Sequence, residues 1–165
     1  MVHIIKGDRD SGKTMTIRAL YQNLRRGDGI IAEKSFRGSV CVGYDLVHLS
    51  ADTRQPLALQ RHMLPPRWNE SDTWGKFSFS QDAFLCADTI METILKKGTG
   101  PLFIDEIGPL ELNGRGFHNI LRRTLASGRE MYVTARSHLV HRILTCFGIG
   151  DYRIMDATVP GDGRN

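Results

Sequence analysis

Gly7-Asp8-Arg9-Asp10-Ser11-Gly12-Lys13-Thr14 follows directly on the apolar run Val2-His3-Ile4-Ile5. Its spacing, G-x-x-x-x-G-K-[ST], is that of a loop whose backbone N–H groups wrap phosphate oxygens. A helix start presents unpaired N–H donors and a partial positive charge, so an anion binds there with little added machinery. Glycines at 7 and 12 let the chain turn tightly and come close to a ligand. Residues Gly7, Asp8, Arg9, Asp10, Ser11, Gly12, Lys13, Thr14 and Met15 are therefore expected to line bound phosphates. Lys13 would reach the β- and γ-phosphates, and the Thr14 hydroxyl would ligate Mg²⁺, the expected cofactor.

Leu102-Phe103-Ile104-Asp105-Glu106-Ile107-Gly108 is the second segment with chemistry in it. An apolar strand that ends in two acids is poor packing, because a carboxylate is costly to bury unpaired. It makes sense if both acids enter a polar site at the carboxyl ends of the strands, where open α/β sheets bind ligands. Asp105 would hold Mg²⁺ through a bound water, and Glu106 would orient and polarise an attacking water. Thr134, at the end of Met131-Tyr-Val-Thr, is a candidate sensor of the γ-phosphate or the water. Arg136 is a candidate for stabilising charge on the transferring group, or a surface cation opening the next helix. Arg9, Arg54, Arg122 and Arg123 are weaker candidates for the same task.

Strand and helix patterns alternate, which implies one three-layer, doubly wound α/β domain with a mainly parallel sheet. After the loop, Met15, Ile17, Leu20, Tyr21 and Leu24 recur at helical spacing, and Arg25-Arg26-Gly27 ends that helix. Ile30 to Glu33 reads as a short strand, and residues 39–49 as a β-rich run. Too little chain separates them for a helical crossover, so they are expected to form an antiparallel hairpin through Phe36-Arg37-Gly38 at one edge of the sheet. Residues 51–75, with Pro56, Pro65, Pro66, Trp68 and Trp74, show no sustained period and read as a long loop, functional or mobile. Ser80 caps the next helix, whose stripe is Ala83, Phe84, Ala87, Ile90, Met91, Ile94 and Leu95. Pro101–Ile104 is a strand, Phe117–Leu125 a helix, Met131–Thr134 a strand, His138–Phe147 a helix, and Tyr152–Met155 a last strand. The domain is expected over residues 1–158, with a flexible tail at 159–165.

The 165 residues suit a single core, and 41% hydrophobic with 24% charged content is that of an ordinary globular protein. A net charge of +4 is scattered, without a basic stripe, so nucleic acid is not the expected partner. Cys41, Cys86 and Cys146 are far apart and odd in number, which suggests reduced, mostly buried thiols in the cytoplasm. The N-terminal segment is too short to read as a signal peptide, and no apolar run approaches the roughly 20 residues that span a bilayer. His138 and His141 are read as solvent-facing, without metal-ligand spacing.

With both phosphate-site segments in view, the chain resembles the small P-loop nucleoside-triphosphatases first named from thermophiles, a family with a cancer-related human relative. The likeness covers about residues 2–155. It rests on Gly7–Thr14, on Gly43-Tyr44-Asp45-Leu46-Val47 with Leu49, and most of all on Phe103-Ile104-Asp105-Glu106-Ile107-Gly108-Pro109-Leu110-Glu111-Leu112. Glu33 also looks like a family position. The resemblance implies Mg²⁺-dependent hydrolysis of ATP, GTP and other nucleoside triphosphates with loose base selectivity. It also implies the additional-strand class of P-loop fold, with a strand between the two motif strands and a catalytic Glu after the Mg²⁺-binding Asp. On that basis Lys13, Thr14, Asp105 and Glu106 fall on functional positions.

The chain departs from the family at Asp10, where glycine is common, at Asp8, and at Met15, where a small polar residue is common. Carboxylates beside a phosphate nest weaken anion binding unless they point outward or pair with Arg9. Two other functions stay open on the sequence: a small-molecule or nucleotide kinase using residues 51–75 as a cover, and a nucleotide-gated partner-binding switch.

Overall fold

A computed structural model describes residues 1–158; the tail expected at 159–165 lies outside the described residues. The chain runs through β1 (Val2–Lys6), α1 (Lys13–Leu24), β2 (Asp28–Arg37), β3 (Val40–His48) and β4 (Thr53–Gln60). A 3₁₀ turn at Arg61–Met63 leads to β5 (Glu70–Trp74), β6 (Phe77–Ser80) and α2 (Gln81–Lys96). Then come β7 (Leu102–Ile107), α3 (Pro109–Leu112), α4 (His118–Ala126) and β8 (Met131–Ala135). A second 3₁₀ turn at Ser137–Leu139, α5 (Val140–Phe147) and β9 (Tyr152–Asp156) complete the described residues.

One nine-stranded open sheet carries the fold, in the order β5-β6-β4-β3-β2-β7-β8-β1-β9. From β2 to β9 every pairing is parallel, and β8 lies between β1 and β7, the strands that carry the two phosphate-site segments. This is the additional strand that the family resemblance implied. Side chains alternate across a strand, so a strand covered on both faces must be apolar at consecutive positions. Ile4 packs on one face with α2, α4 and α5, while Ile5 packs on the other with Ile17, Leu20, Tyr21 and Leu24 of α1. That gives three layers and accounts for the unbroken apolar runs before both site segments.

Local signals place the helices well. Ser80 Oγ accepts from Ala83 N at 3.2 Å and caps α2. Arg25, in a left-handed conformation, closes α1 two residues before Gly27, and its N–H reaches Tyr21 O.

The segment 51–75 departs from expectation. It is not a loop: β4 and β5 occupy much of it, and with β6 they prolong the β2–β3 hairpin into an antiparallel extension that forms that edge of the sheet. Pro56 concealed β4 from a sequence reading. It sits opposite Asp45 at an irregularity in the β3–β4 register, where a missing N–H is tolerated. Leu57 and Ala58 beside it are both buried, which removes the period-two signal as well. The hairpin turn is also tighter than expected, because Phe36 and Arg37 still pair with Cys41 and Val40. The thiols are free among the described residues, but Cys41 and Cys86 are only half-buried and Cys146 is exposed. His138 and His141 face solvent as expected, and no described helix is long and apolar enough to cross a membrane.

Candidate active site

The loop from Gly7 to Gly12 joins the carboxyl end of β1 to the first turn of α1. Gly12 takes φ +83° and offers no side chain to cap the helix, so the N–H groups that open α1 stay available for a ligand. Gly7 keeps the loop compact: a Cβ there would lie 2.1 Å from Ser11 Oγ and 3.0 Å from Ser11 Cβ, so the Ser11 side chain would have to move. Lys13 is 6% exposed, and its ammonium spans the loop to donate to Asp8 O at 2.7 Å. Ser11 Oγ is buried with no hydrogen-bond partner among the described residues, an acceptor and donor without a task.

Asp105 reaches this loop from β7. Its Oδ2 accepts from Thr14 Oγ1 at 2.7 Å and from Ala32 N at 3.2 Å, and its Oδ1 accepts from Thr134 Oγ1. All three donors are neutral, and the carboxyl is 1% exposed. Burial, and next the nearby Glu106 charge, push its pKa up to about 6. A buried carboxyl without a counter-charge, touching a hydroxyl that is itself a hard oxygen ligand, suits a divalent cation with oxygen coordination. The pair fits Mg²⁺, which binds through one or two protein oxygens plus substrate phosphates and waters. No cluster of three or more His, Cys, Asp or Glu occurs among the described residues to offer a rival metal site.

Glu106 lines the cleft one residue further on, in a left-handed conformation at φ +65° that side chains rarely adopt. Its N–H donates to Thr134 Oγ1 at 2.8 Å. Thr134 is fully buried, and its hydroxyl joins the Asp105 carboxylate to the Glu106 backbone, which sets their relative position. The β7–β8 ladder is irregular between Ile104 and Ile107, the two residues that flank the acids. The local break turns both carboxylates away from ladder geometry.

Beyond the acids, Glu111 folds the α3 loop onto itself. Its Oε2 accepts from Gly108 N at 2.8 Å and its Oε1 from Phe117 N at 2.9 Å. Burial raises its pKa to about 7. The raised value means the folded state holds this proton above the unfolded pKa, so its contribution to stability is present at low pH and lost as pH rises from about 4.5 to 7. Glu111→Gln is expected to abolish that slope and to cost about 1–3 kcal/mol, since an amide cannot accept from both N–H groups. Urea denaturation at pH 5 and pH 8 checks it; an unchanged slope would remove Glu111 as its source.

The arginine candidates separate by partner. Arg54 is held by Glu33 at 2.7 Å, which also takes Arg18 at 2.6 Å, and Arg123 pairs with Asp88 on α2. Arg122 is exposed on α4, so Arg54, Arg122 and Arg123 leave the list of groups facing the phosphates. Arg9 and Arg136 both line the cleft of about 390 Å³ that also contains Lys13, Thr14 and Glu106. The acidic departures are accommodated differently from each other. Asp10, left-handed at φ +62°, points out to Lys34 on β2 and not to Arg9; the Lys34 ammonium holds its carboxyl below the usual range. The Asp8 backbone oxygen is what holds Lys13. Lys34, Glu111 and the Ala32 N–H are site contributors that sequence reading assigned no role; Glu111 lay inside the quoted segment, the other two had no signal.

A family model described as NTPase matches residues 3–157. The chain belongs to this NTPase family. It is a nucleoside-triphosphatase, as the resemblance carried by Gly7–Thr14 and Phe103–Leu112 implied. Among solved structures, the crystal structure of THEP1 from the hyperthermophile Aquifex aeolicus superposes at TM-score 0.70 and 18% identity, covering 96% of this chain and 90% of that one. The solution structure of a human cancer-related nucleoside triphosphatase superposes at TM-score 0.64 and 22% identity, covering 97% and 89%. Both show the same fold as this NTPase. No curated protein sequence matches the chain.

Proposed function

We propose that this NTPase hydrolyses nucleoside 5′-triphosphates, ATP and GTP among them, to the diphosphate and phosphate in a Mg²⁺-dependent reaction. One observation carries the reading: Thr14 Oγ1 and Asp105 Oδ2, 91 residues apart in sequence, meet at 2.7 Å, with Asp105 buried directly behind the cleft that Thr14, Glu106 and Lys13 line. The amides of residues 7–15 and the Lys13 ammonium hold the phosphate oxygens. Thr14 and Asp105 would hold Mg²⁺, which supplies positive charge against the β- and γ-oxygens. Glu106 accepts the proton of a water that attacks the γ-phosphorus, and Arg136 offsets charge on the transferring group, with Arg9 as a second cation at the same mouth.

The partner-gated switch rested only on residues 51–75 forming an exposed loop, and β4 and β5 occupy about half of that segment.

Phosphate release from ATP, GTP, CTP and UTP should require Mg²⁺ and stop on chelation. The metal needs ionised Asp105, whose pKa is raised to about 6. The Mg²⁺ concentration for half-maximal rate is therefore expected to rise about tenfold per unit as pH falls below about 6, and to level off above it. Release that persists in a chelator, or a Mg²⁺ requirement flat from pH 5 to 8, would overturn the assignment of Thr14 and Asp105.

A further inference from the structure

Glu106 borders two cavities. The first is the phosphate cleft; the second, of about 100 Å³, shares Arg9, Ala32, Tyr44, Glu106 and Arg136 with it. Its remaining wall is mainly apolar and aromatic, with Leu57, Trp74, Phe77, Phe79, Phe84 and Phe117, and Glu111 is its one ionisable side chain. The rings brace one another: Tyr44 meets Phe77 edge to face at 5.3 Å, and Phe84 meets Phe117 likewise at 5.3 Å. Four of these residues, Leu57, Trp74, Phe77 and Phe79, come from β4, β5 and β6.

That origin matters. The five parallel strands already bring together the phosphate loop, Thr14, Asp105 and Glu106, so hydrolysis has no need of the antiparallel extension. Water has no need of an aromatic wall either, since it occupies polar cavities and leaves apolar ones dry. An apolar cavity of about 150 Å³ holds a benzene ring. This pocket is smaller than that but open, so it takes a single planar ring only if the polar substituent projects past Glu106 into the phosphate cleft.

We propose that this pocket binds a primary alcohol borne on one six-membered aromatic ring, and that its hydroxyl can replace water at the γ-phosphate. The inference rests on the hydrolase reading above and gives that site a second substrate. The alcohol oxygen forms the new bond to the γ-phosphorus, and the bond from that phosphorus to the β–γ bridging oxygen breaks. The hydroxyl proton passes to the Glu106 carboxylate and then to solvent. The products are a phosphate monoester and the nucleoside diphosphate. Arg9 and Arg136, common to both cavities, face the charge that the ester acquires.

The test uses the full chain with γ-labelled ATP and Mg²⁺, adding benzyl alcohol, 3-pyridylmethanol or ethanol at equal concentrations. The ring alcohols should give labelled phosphate monoester at least tenfold above ethanol, saturating with concentration. Trp74→Ala, at a half-exposed ring that the fold can spare, and Leu57→Phe, which fills the pocket, should each lower the ester-to-phosphate ratio at least tenfold. Phosphate release in the same tubes reports that each variant is folded. Ester no greater than with ethanol, or a ratio unmoved by both variants, overturns the proposal while leaving hydrolysis standing. Absence of phosphate release from wild type under every condition would instead overturn the hydrolase reading, and this proposal with it.

Discussion

Glu106→Gln is expected to lower phosphate release by about 10²-fold or more, with triphosphate affinity changed little, the scale of a lost general base. Glutamine keeps the length and shape of the side chain, and the N–H bond to Thr134 is made by the backbone, so the left-handed turn survives. What disappears is the proton acceptor. A second consequence has a definite sign. The Glu106 charge is one of the causes raising the Asp105 pKa, so removing it should bring that pKa down and extend tight Mg²⁺ use to lower pH. Single-turnover kinetics and calorimetry with a non-hydrolysable triphosphate read both effects. Turnover close to wild type in this variant would take Glu106 out of the mechanism.

Lys13→Ala should weaken triphosphate binding by about 10- to 100-fold, the worth of one charge-assisted hydrogen bond at about 1.5–3 kcal/mol. Binding of the bare nucleoside should barely change. The ammonium is buried and pinned across the loop to Asp8 O, so the phosphate exchanges for a neutral carbonyl and gains an oriented charge. The variant also loses the tie that closes the loop. Hydrolysis is expected to fall further than binding, because charge on the bridging oxygen grows only as the bond breaks. Equal losses for nucleoside and triphosphate in calorimetry would count against Lys13 as a phosphate ligand.

Both predictions concern residues that a reader of the chain would choose before seeing any coordinates, for a physical reason. Residues 7–14 are contiguous, and a phosphate nest is made from successive backbone N–H groups, so its whole chemistry is written in one short stretch. The acids announce themselves by contrast, as two carboxylates against an apolar strand. Helical stripes and caps were equally plain in α2, where Ser80 and the 3.6-residue period agree. β4 was hidden because burial on both sides erased its alternation and Pro56 imitated a loop. α3 was hidden because four residues make barely one helical turn, too short for a pattern to repeat.

Pairing across the chain lay beyond such reading. No local pattern says that Lys34 takes the charge of Asp10, that Glu33 pairs with both Arg18 and Arg54, or that Thr134 joins the Asp105 carboxylate to the Glu106 backbone. Each of those contacts depends on which strands become neighbours and on their register, a property of the assembled sheet. The aromatic pocket is the same kind of feature, assembled from β3, β4, β5, β6, α2 and the β7–α4 connection. Order along the chain therefore carried the phosphate and metal chemistry, which is local. The three-dimensional arrangement settled the charge balance around it and the second cavity, because those arise from residues that only folding brings side by side.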